Sequence, residues 1–138
     1  MEAEKLNIFI VDDNKLMDIS LKHYLENRFG ASVNISVFYD GKSCLEKIDQ
    51  NTHFVILDYF LDSENKNAVN GLEILKAIKK INPKTEVIMF TCNEDVGEAI
   101  KSFREGATAY VVKGYKAWER IVSLINKAIT NPIRKLVS

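Results

Sequence analysis

Short apolar runs alternate with amphipathic stretches along the whole chain. Leu6-Asn-Ile-Phe-Ile-Val11 is rich in β-branched and aromatic residues and predicts a buried strand. Asn14 predicts the cap of a helix whose apolar stripe is Met17, Leu21, Tyr24 and Leu25, and Gly30 ends it. Val33 to Phe38 predicts a second strand, followed by a short helix capped by Asp40 that buries Cys44, Leu45 and Ile48. His53-Phe-Val-Ile-Leu57 predicts a third strand that stops at Asp58. After the polar stretch Asp62 to Asn70, Gly71 opens a helix with Leu72, Leu75 and Ile78 on one side, and Asn82-Pro83 terminates it. Glu86-Val-Ile-Met-Phe90 predicts strand four, and the helix after it carries Val96, Ile100 and Phe103 and closes at Gly106. Ala109-Tyr-Val-Val112 predicts strand five. The last helix has the cleanest stripe: Trp118, Ile121, Val122, Ile125, Ala128 and Ile129, with Pro132 discouraging continuation.

Five strands in strict alternation with five helices imply right-handed crossovers and a parallel sheet covered on both faces, an α/β fold. The 138 residues suit a single domain spanning 1–138, with a core over about 5–130 and a tail at 131–138. Nineteen Lys+Arg against nineteen Asp+Glu give a formal net charge of zero, which argues against salt-driven binding to nucleic acid or an anionic membrane. No apolar run approaches the ~18 residues of a membrane span. The N-terminus, Met1-Glu-Ala-Glu-Lys5, lacks the order of a signal peptide, so a cytoplasmic protein is expected. Cys44 and Cys92 are too few and too far apart for a disulfide framework, and Cys92 is expected to serve packing. The zero net charge hides an uneven distribution. From Lys113 onward there are six Lys/Arg and one acidic residue, Glu119.

In parallel sheets of this kind, ligands bind beyond the carboxyl ends of the strands. Strand one ends in Asp12-Asp13, strand three in Asp58, strand four in Thr91 and strand five in Lys113. Each residue alone is as readily a turn former, a cap or a solvated charge. Together they place three carboxylates, a hydroxyl and an amine on one edge of the sheet. Two unit charges about 4 Å apart repel by roughly 4 kcal/mol at an effective dielectric near 20, so the carboxylates need cations between them. Lys113 supplies one positive charge, and oxygen-only ligands select Mg²⁺ or a similar hard ion for the remainder. With that charge balanced, Asp58 can act as a nucleophile toward a phosphoryl group and form an aspartyl phosphate.

Six short pieces in order, Ile10-Val-Asp-Asp13, Ile56-Leu-Asp58, Gly71-Leu-Glu-Ile-Leu75, Met89-Phe-Thr91, Glu105-Gly-Ala107 and Tyr110-Val-Val-Lys113, resemble the receiver domain of two-component response regulators. The resemblance implies a flavodoxin-like (βα)5 fold with a doubly wound, five-stranded parallel sheet in the order 2-1-3-4-5. It also implies that Asp58 takes a phosphoryl group from a sensor histidine kinase or a phosphotransfer protein. Asp12 and Asp13, with Asp58 and the backbone carbonyl of Phe60, would hold Mg²⁺. Thr91 would bond one phosphoryl oxygen, Lys113 another, and the Cys92 N–H would be a further donor. Tyr110 would swing inward when Thr91 moves, reshaping the face of helix four, strand five and helix five for an unnamed output protein or a second copy of the chain. The alternatives are an interaction module that never uses phosphorylation, and the receiver part of a longer transcription factor or hybrid kinase. Self-hydrolysis of the aspartyl phosphate is the only catalysis expected, with no binding to membrane or directly to nucleic acid.

The chain departs from the family pattern at three places. Gly114 follows Lys113 where proline after a cis peptide is usual, and glycine bends such a loop without one. The segment between Asp58 and Gly71 is several residues longer than usual, and its polar residues read as a solvated loop. Phe60 and Asn93, two residues after Asp58 and Thr91, occupy positions that tune phosphoryl lifetime in the family. Gly41-Lys-Ser43 imitates the end of a phosphate-binding loop, but the glycine required five positions upstream is Ser36. Neither histidine is expected at the site: His23 falls within the first helix, and His53 at the opposite end of strand three.

Overall fold

The computed structural model describes residues 5–59 and 70–130. Five parallel strands, β1 (Leu6–Val11), β2 (Val33–Phe38), β3 (Phe54–Leu57), β4 (Glu86–Thr91) and β5 (Ala109–Val112), form one sheet in the order β2-β1-β3-β4-β5. The connecting helices are α1 (Lys15–Phe29), α2 (Gly41–Lys47), α3 (Gly71–Ile81), α4 (Val96–Arg104) and α5 (Ala117–Thr130). Side chains on a strand alternate between faces, so each central strand feeds two cores. Ile8, Ile10, Phe54, Ile56, Ile88, Phe90 and Val111 pack with Leu21 and Leu25 of α1 and Ile121 and Ile125 of α5. Phe9, Val11, Val55, Leu57, Val87, Met89 and Tyr110 pack on the other face with Cys44 of α2 and Ile74, Leu75 and Ile78 of α3.

Four helix starts are held by acceptor side chains that satisfy backbone N–H groups otherwise left open. Asn14 accepts from the Met17 N–H, Asp40 from Ser43, Asn70 from Glu73 and Asp95 from Glu98. Gly30 ends α1 with a φ of 57°, a conformation that favours glycine. The turn after β5 contains no cis peptide; Gly114 takes a φ of 152° and Lys116 one of 64°. Glycine therefore bends this loop as its sequence position suggested.

Expected and observed elements differ in three respects. Strand β3 begins at Phe54 rather than His53, whose Nδ1 takes the Asn7 N–H at 2.9 Å in place of a backbone carbonyl. Strand β4 runs one residue further, to Thr91, whose carbonyl accepts the Lys113 N–H at 2.7 Å. The apolar stripe of α4 faces outward, leaving Val96, Ile100 and Phe103 70%, 45% and 51% exposed. The buried residue of α4 is Ser102, which satisfies its hydroxyl on the Glu98 carbonyl at 2.9 Å. Periodicity identifies an apolar face but not whether the fold covers it. Phe60, the polar stretch from Asp62 and the tail at 131–138 with Pro132 lie outside the described residues.

Gly71 shows how tightly α3 meets the carboxyl end of β3. Its N–H donates to the Tyr59 carbonyl at 2.7 Å, and a Cβ on it would sit 2.4 Å from the Asp58 carbonyl oxygen. That neighbour is backbone and cannot swing aside. Gly71→Ala is therefore expected to destabilise the fold by about 2 kcal/mol or more, the range of an overpacked site, read from urea unfolding midpoints. An unchanged midpoint would mean that α3 has room to withdraw.

Candidate functional site

The carboxyl ends of β1, β3, β4 and β5 deliver Asp12, Asp58, Thr91 and Lys113 to one edge of the sheet, as the strand ends suggested. Two backbone bonds fix the spacing. The Asp58 N–H donates to the Val11 carbonyl at 3.0 Å, and the Asp12 N–H donates to the Phe38 carbonyl at 3.1 Å. Asp12 is 3% exposed and Asp58 8%, whereas Asp13 faces solvent. One carboxylate oxygen from each of Asp12, Asp13 and Asp58 lies within 4.8 Å of the others. Phe60, expected to add a backbone carbonyl, lies outside the described residues.

Lys113 reaches into this cluster from β5. Its Nζ lies 2.6 Å from Asp12 Oδ2 and 3.3 Å from Asp58 Oδ2, donating to both. Burial would lower the Lys113 pKa, but the hydrogen bond to Asp12 and the charge of Asp58 outweigh it and raise the value. The ammonium therefore stays charged at any physiological pH. The second Asp12 oxygen, Oδ1, accepts the Asn14 N–H at 2.9 Å, which orients the carboxylate as α1 begins.

The remaining expected residues are near the same edge. Thr91 is buried, and its Oγ1 accepts the Asn93 N–H at 3.3 Å. Tyr110 is turned inward and almost fully buried, and its hydroxyl donates to the Asn93 carbonyl at 2.9 Å. Burial first, then the carboxylates of Glu98 and Asp95, raise its pKa and keep it a donor. Cys92 is exposed, so its expected packing role is corrected. It follows the last residue of β4 and leaves the sheet, so no second layer covers it. Cys44 is the buried cysteine, its thiol pushed up to about 12 by burial and then by Asp40.

Two groups escaped the sequence reading. Asp18 on α1 is fully buried, and among the described residues neither carboxylate oxygen has a hydrogen-bond partner. Burial, followed by the charge of Asp12, pushes its pKa up to about 8. Its signal was its place in line with Leu21 and Leu25, three and seven residues on, which puts a charged residue type on the inward face. The other is the hydroxyl of Tyr59, which donates to the carboxylate of Glu98 on α4. No local pattern links residues that far apart.

The donor set is chemically coherent. Among the described residues three carboxylates converge with one ammonium, and an all-oxygen cluster of this kind fits a hard divalent cation. The ammonium, the Thr91 hydroxyl and the cation would together stabilise an anionic group placed against Asp58.

A family model described as response regulator receiver domain matches residues 8–126. The chain is similar to the DNA-binding transcriptional regulator NtrC of Escherichia coli (strain K12), with 29% identity over 125 residues, 90% of this chain and 25% of NtrC. It is also similar to the response regulator ArlR of Staphylococcus saprophyticus, with 28% identity over 131 residues, 94% of this chain and 56% of ArlR. The chain thus spans about a quarter of NtrC and little more than half of ArlR. Among solved structures it resembles the BeF3-activated receiver domain of DrrB, a Thermotoga maritima protein, at a TM-score of 0.76 and 26% identity, covering 91% of this chain and 97% of that one. No helix among the described residues is long and apolar enough to cross a membrane.

The buried carboxyl of Asp18 has a thermodynamic consequence. It holds a proton in the folded protein up to about pH 8, whereas an unperturbed aspartate ionises at 3.8. The folded state therefore binds more protons between those values, and wild-type stability falls as pH rises through the window. Asp18→Asn lacks this loss. Urea unfolding of metal-free protein should shift in favour of the variant by about 2 kcal/mol between about pH 5.5 and about pH 7.5. A difference that does not change with pH would mean that Asp18 ionises in the fold as freely as in solution.

Proposed function

Because the chain belongs to the response regulator receiver domain family and is a receiver domain of two-component signalling, we propose that Asp58 is its phosphoacceptor and that Asp12, Asp13 and Asp58 hold Mg²⁺. The observation that carries this reading is the Lys113 ammonium between Asp12 and Asp58, inside a cluster of three carboxylates that it cannot neutralise alone. The backbone carbonyl of Phe60 completes the proposed ligand set from outside the described residues.

In this mechanism a carboxylate oxygen of Asp58 attacks the phosphorus of a phosphohistidine on a sensor histidine kinase or phosphotransfer protein. A P–O bond forms and the P–N bond breaks. The imidazole leaves with the bonding electron pair and takes up a proton. Mg²⁺, when bound, supplies the positive charge that lets a dianionic phosphoryl group approach three carboxylates. Asp12 contributes by holding Lys113 in place, since its Oδ2 is the closer partner of Nζ at 2.6 Å. Lys113 pairs with one phosphoryl oxygen, Thr91 Oγ1 donates to another, and the Cys92 N–H is a further donor. Turning toward the phosphoryl group takes Thr91 away from the Asn93 N–H, and the inward Tyr110 bonded to the Asn93 carbonyl registers that movement. The altered surface of α4, β5 and α5 is then read by an output protein or by a second copy of the chain.

Hydrolysis of its own aspartyl phosphate is the only turnover we assign to the domain. Its place in this scheme is the cytoplasm, where kinases of this kind present their phosphohistidine. The DNA-binding named for NtrC belongs to that protein, of which this chain matches a quarter.

Wild-type protein with Mg²⁺ should capture beryllofluoride and take phosphate from acetyl phosphate, seen as a mass increase and as amide shifts near Asp58. Asp58→Asn should do neither. Lys113→Ala should still bind Mg²⁺ but lose most of the capture. Equal labelling of Asp58→Asn and wild type would remove Asp58 from its proposed role.

A further inference from the structure

The hydrogen bond from the Tyr59 hydroxyl to the Glu98 carboxylate plays no part in the phosphoryl chemistry, yet it joins two elements on which that chemistry depends. Tyr59 directly follows Asp58. Alternation sends it to the opposite face of the sheet, where it is 4% exposed in the same core cluster as Tyr110 and Met89. Its backbone carbonyl accepts the Gly71 N–H at 2.7 Å, so the backbone of the residue is pinned to α3 while its side chain is pinned to α4. Burial first, and Glu98 second, keep the hydroxyl protonated and available as a donor.

Glu98 lies in the first turn of α4, and its N–H donates to the Asp95 side chain at 3.2 Å. Its other carboxylate oxygen stands 3.7 Å from Lys101 Nζ, a loose and largely exposed pair that leaves Tyr59 as the buried partner. The carboxylate of Glu98 also acts on Tyr110, whose hydroxyl is fixed on the Asn93 carbonyl at 2.9 Å. Asn93 in turn donates its N–H to Thr91 Oγ1 at 3.3 Å. A contiguous line of contacts therefore runs from Asp58 through Tyr59 and Glu98 to α4, and on through the loop before α4 to Tyr110 and Thr91.

We propose that the Tyr59–Glu98 bond is a tether coupling the phosphoacceptor segment to α4, with Glu98 acting through Tyr59 as a positioning residue that favours the inward arrangement of Tyr110. The proposal rests on the reading of Asp58 as phosphoacceptor. Coupling is reciprocal: what favours the inward arrangement also raises the affinity of the Asp58 pocket for a phosphoryl group, by the same factor. A hydrogen bond to a charged partner, lost from one arrangement and not the other, corresponds to a change of about three- to tenfold.

The test is a beryllofluoride titration in saturating Mg²⁺ on wild type, Tyr59→Phe, Glu98→Ala, Glu98→Gln and the double variant Tyr59→Phe/Glu98→Ala, with Mg²⁺ affinity measured separately. Tyr59→Phe and Glu98→Ala should each weaken beryllofluoride binding about three- to tenfold. The double variant should be no worse than either single one, and Glu98→Gln, which keeps an acceptor, should recover most of the loss. Mg²⁺ affinity should stay within about twofold throughout, since the Tyr59 side chain is sent to the face of the sheet opposite Asp58 and Glu98 lies on α4. Unchanged beryllofluoride affinity in the single variants, additive losses in the double, or a parallel loss of Mg²⁺ affinity would each overturn the tether. Amide shifts of metal-free Glu98→Ala give a second decision that needs no phosphoryl analogue. Shifts reaching Asp58 and Tyr110 are expected, and shifts confined to α4 would overturn the coupling. Failure of wild type to capture beryllofluoride would remove the phosphoacceptor reading, leaving the tether to be decided by those shifts.

Discussion

Everything at the carboxyl edge of the sheet depends on keeping three carboxylates close together against their own repulsion. Lys113 does this within the chain, with its ammonium 2.6 Å from Asp12 and 3.3 Å from Asp58. Among the described residues one ammonium meets three carboxylates, a donor set whose charge and oxygen-only chemistry suit a hard cation. The arrangement requires β1, β3 and β5 to end at the same level with β4 between them, so the fold serves the charge cluster as much as it serves the core. The close fit of Gly71 against the Asp58 and Tyr59 backbone belongs to the same requirement, since any side chain there would displace the segment that carries Asp58.

The strand's period of two then distributes function between the two faces. Asp12 and Asp58 continue the series of residues that packs against α1 and α5, whereas Tyr59 joins the cluster beneath α4. A carboxylate and a phenol that are neighbours in sequence thus report to different layers. In the proposed mechanism, this is the route by which a change of charge at Asp58 would reach a surface on the far side of the sheet. Tyr110 and Thr91 meet at Asn93, and Tyr59 meets α4 at Glu98, so the loop into α4 and its first turn receive both lines.

Most of the fold was legible because its signals are local. The apolar runs at Leu6–Val11 and Val33–Phe38 are flanked by Asn14 and Asp40, which cap the next helices as their side chains predict. The site was legible for a related reason. A polar residue ending a buried strand must stand at the sheet's edge, so Asp12, Asp58, Thr91 and Lys113 could be assembled without knowing any contact between them. Legibility failed where burial is decided by another element. The stripe Val96, Ile100 and Phe103 has helical periodicity, but the shallow contact of α4 with the sheet is made by its smaller residues, Ala99 and Ser102. Cys92 failed in the same way, by lying exposed just beyond the end of the sheet.

The sequence alone determined the alternation of strands and helices, the caps, and the identity of the charged residues at the strand ends, because each follows from periodicity or from a side chain acting on its own backbone. The motifs, through family resemblance, supplied the strand order. Only the tertiary structure decided which carboxylate Lys113 holds more closely, that Tyr110 is turned inward, that Asp18 is buried with no hydrogen-bond partner among the described residues, and that Tyr59 reaches Glu98. These are relations between side chains separated by tens of residues. They depend on where helices come to rest on the sheet, and the packing of the whole core sets that position.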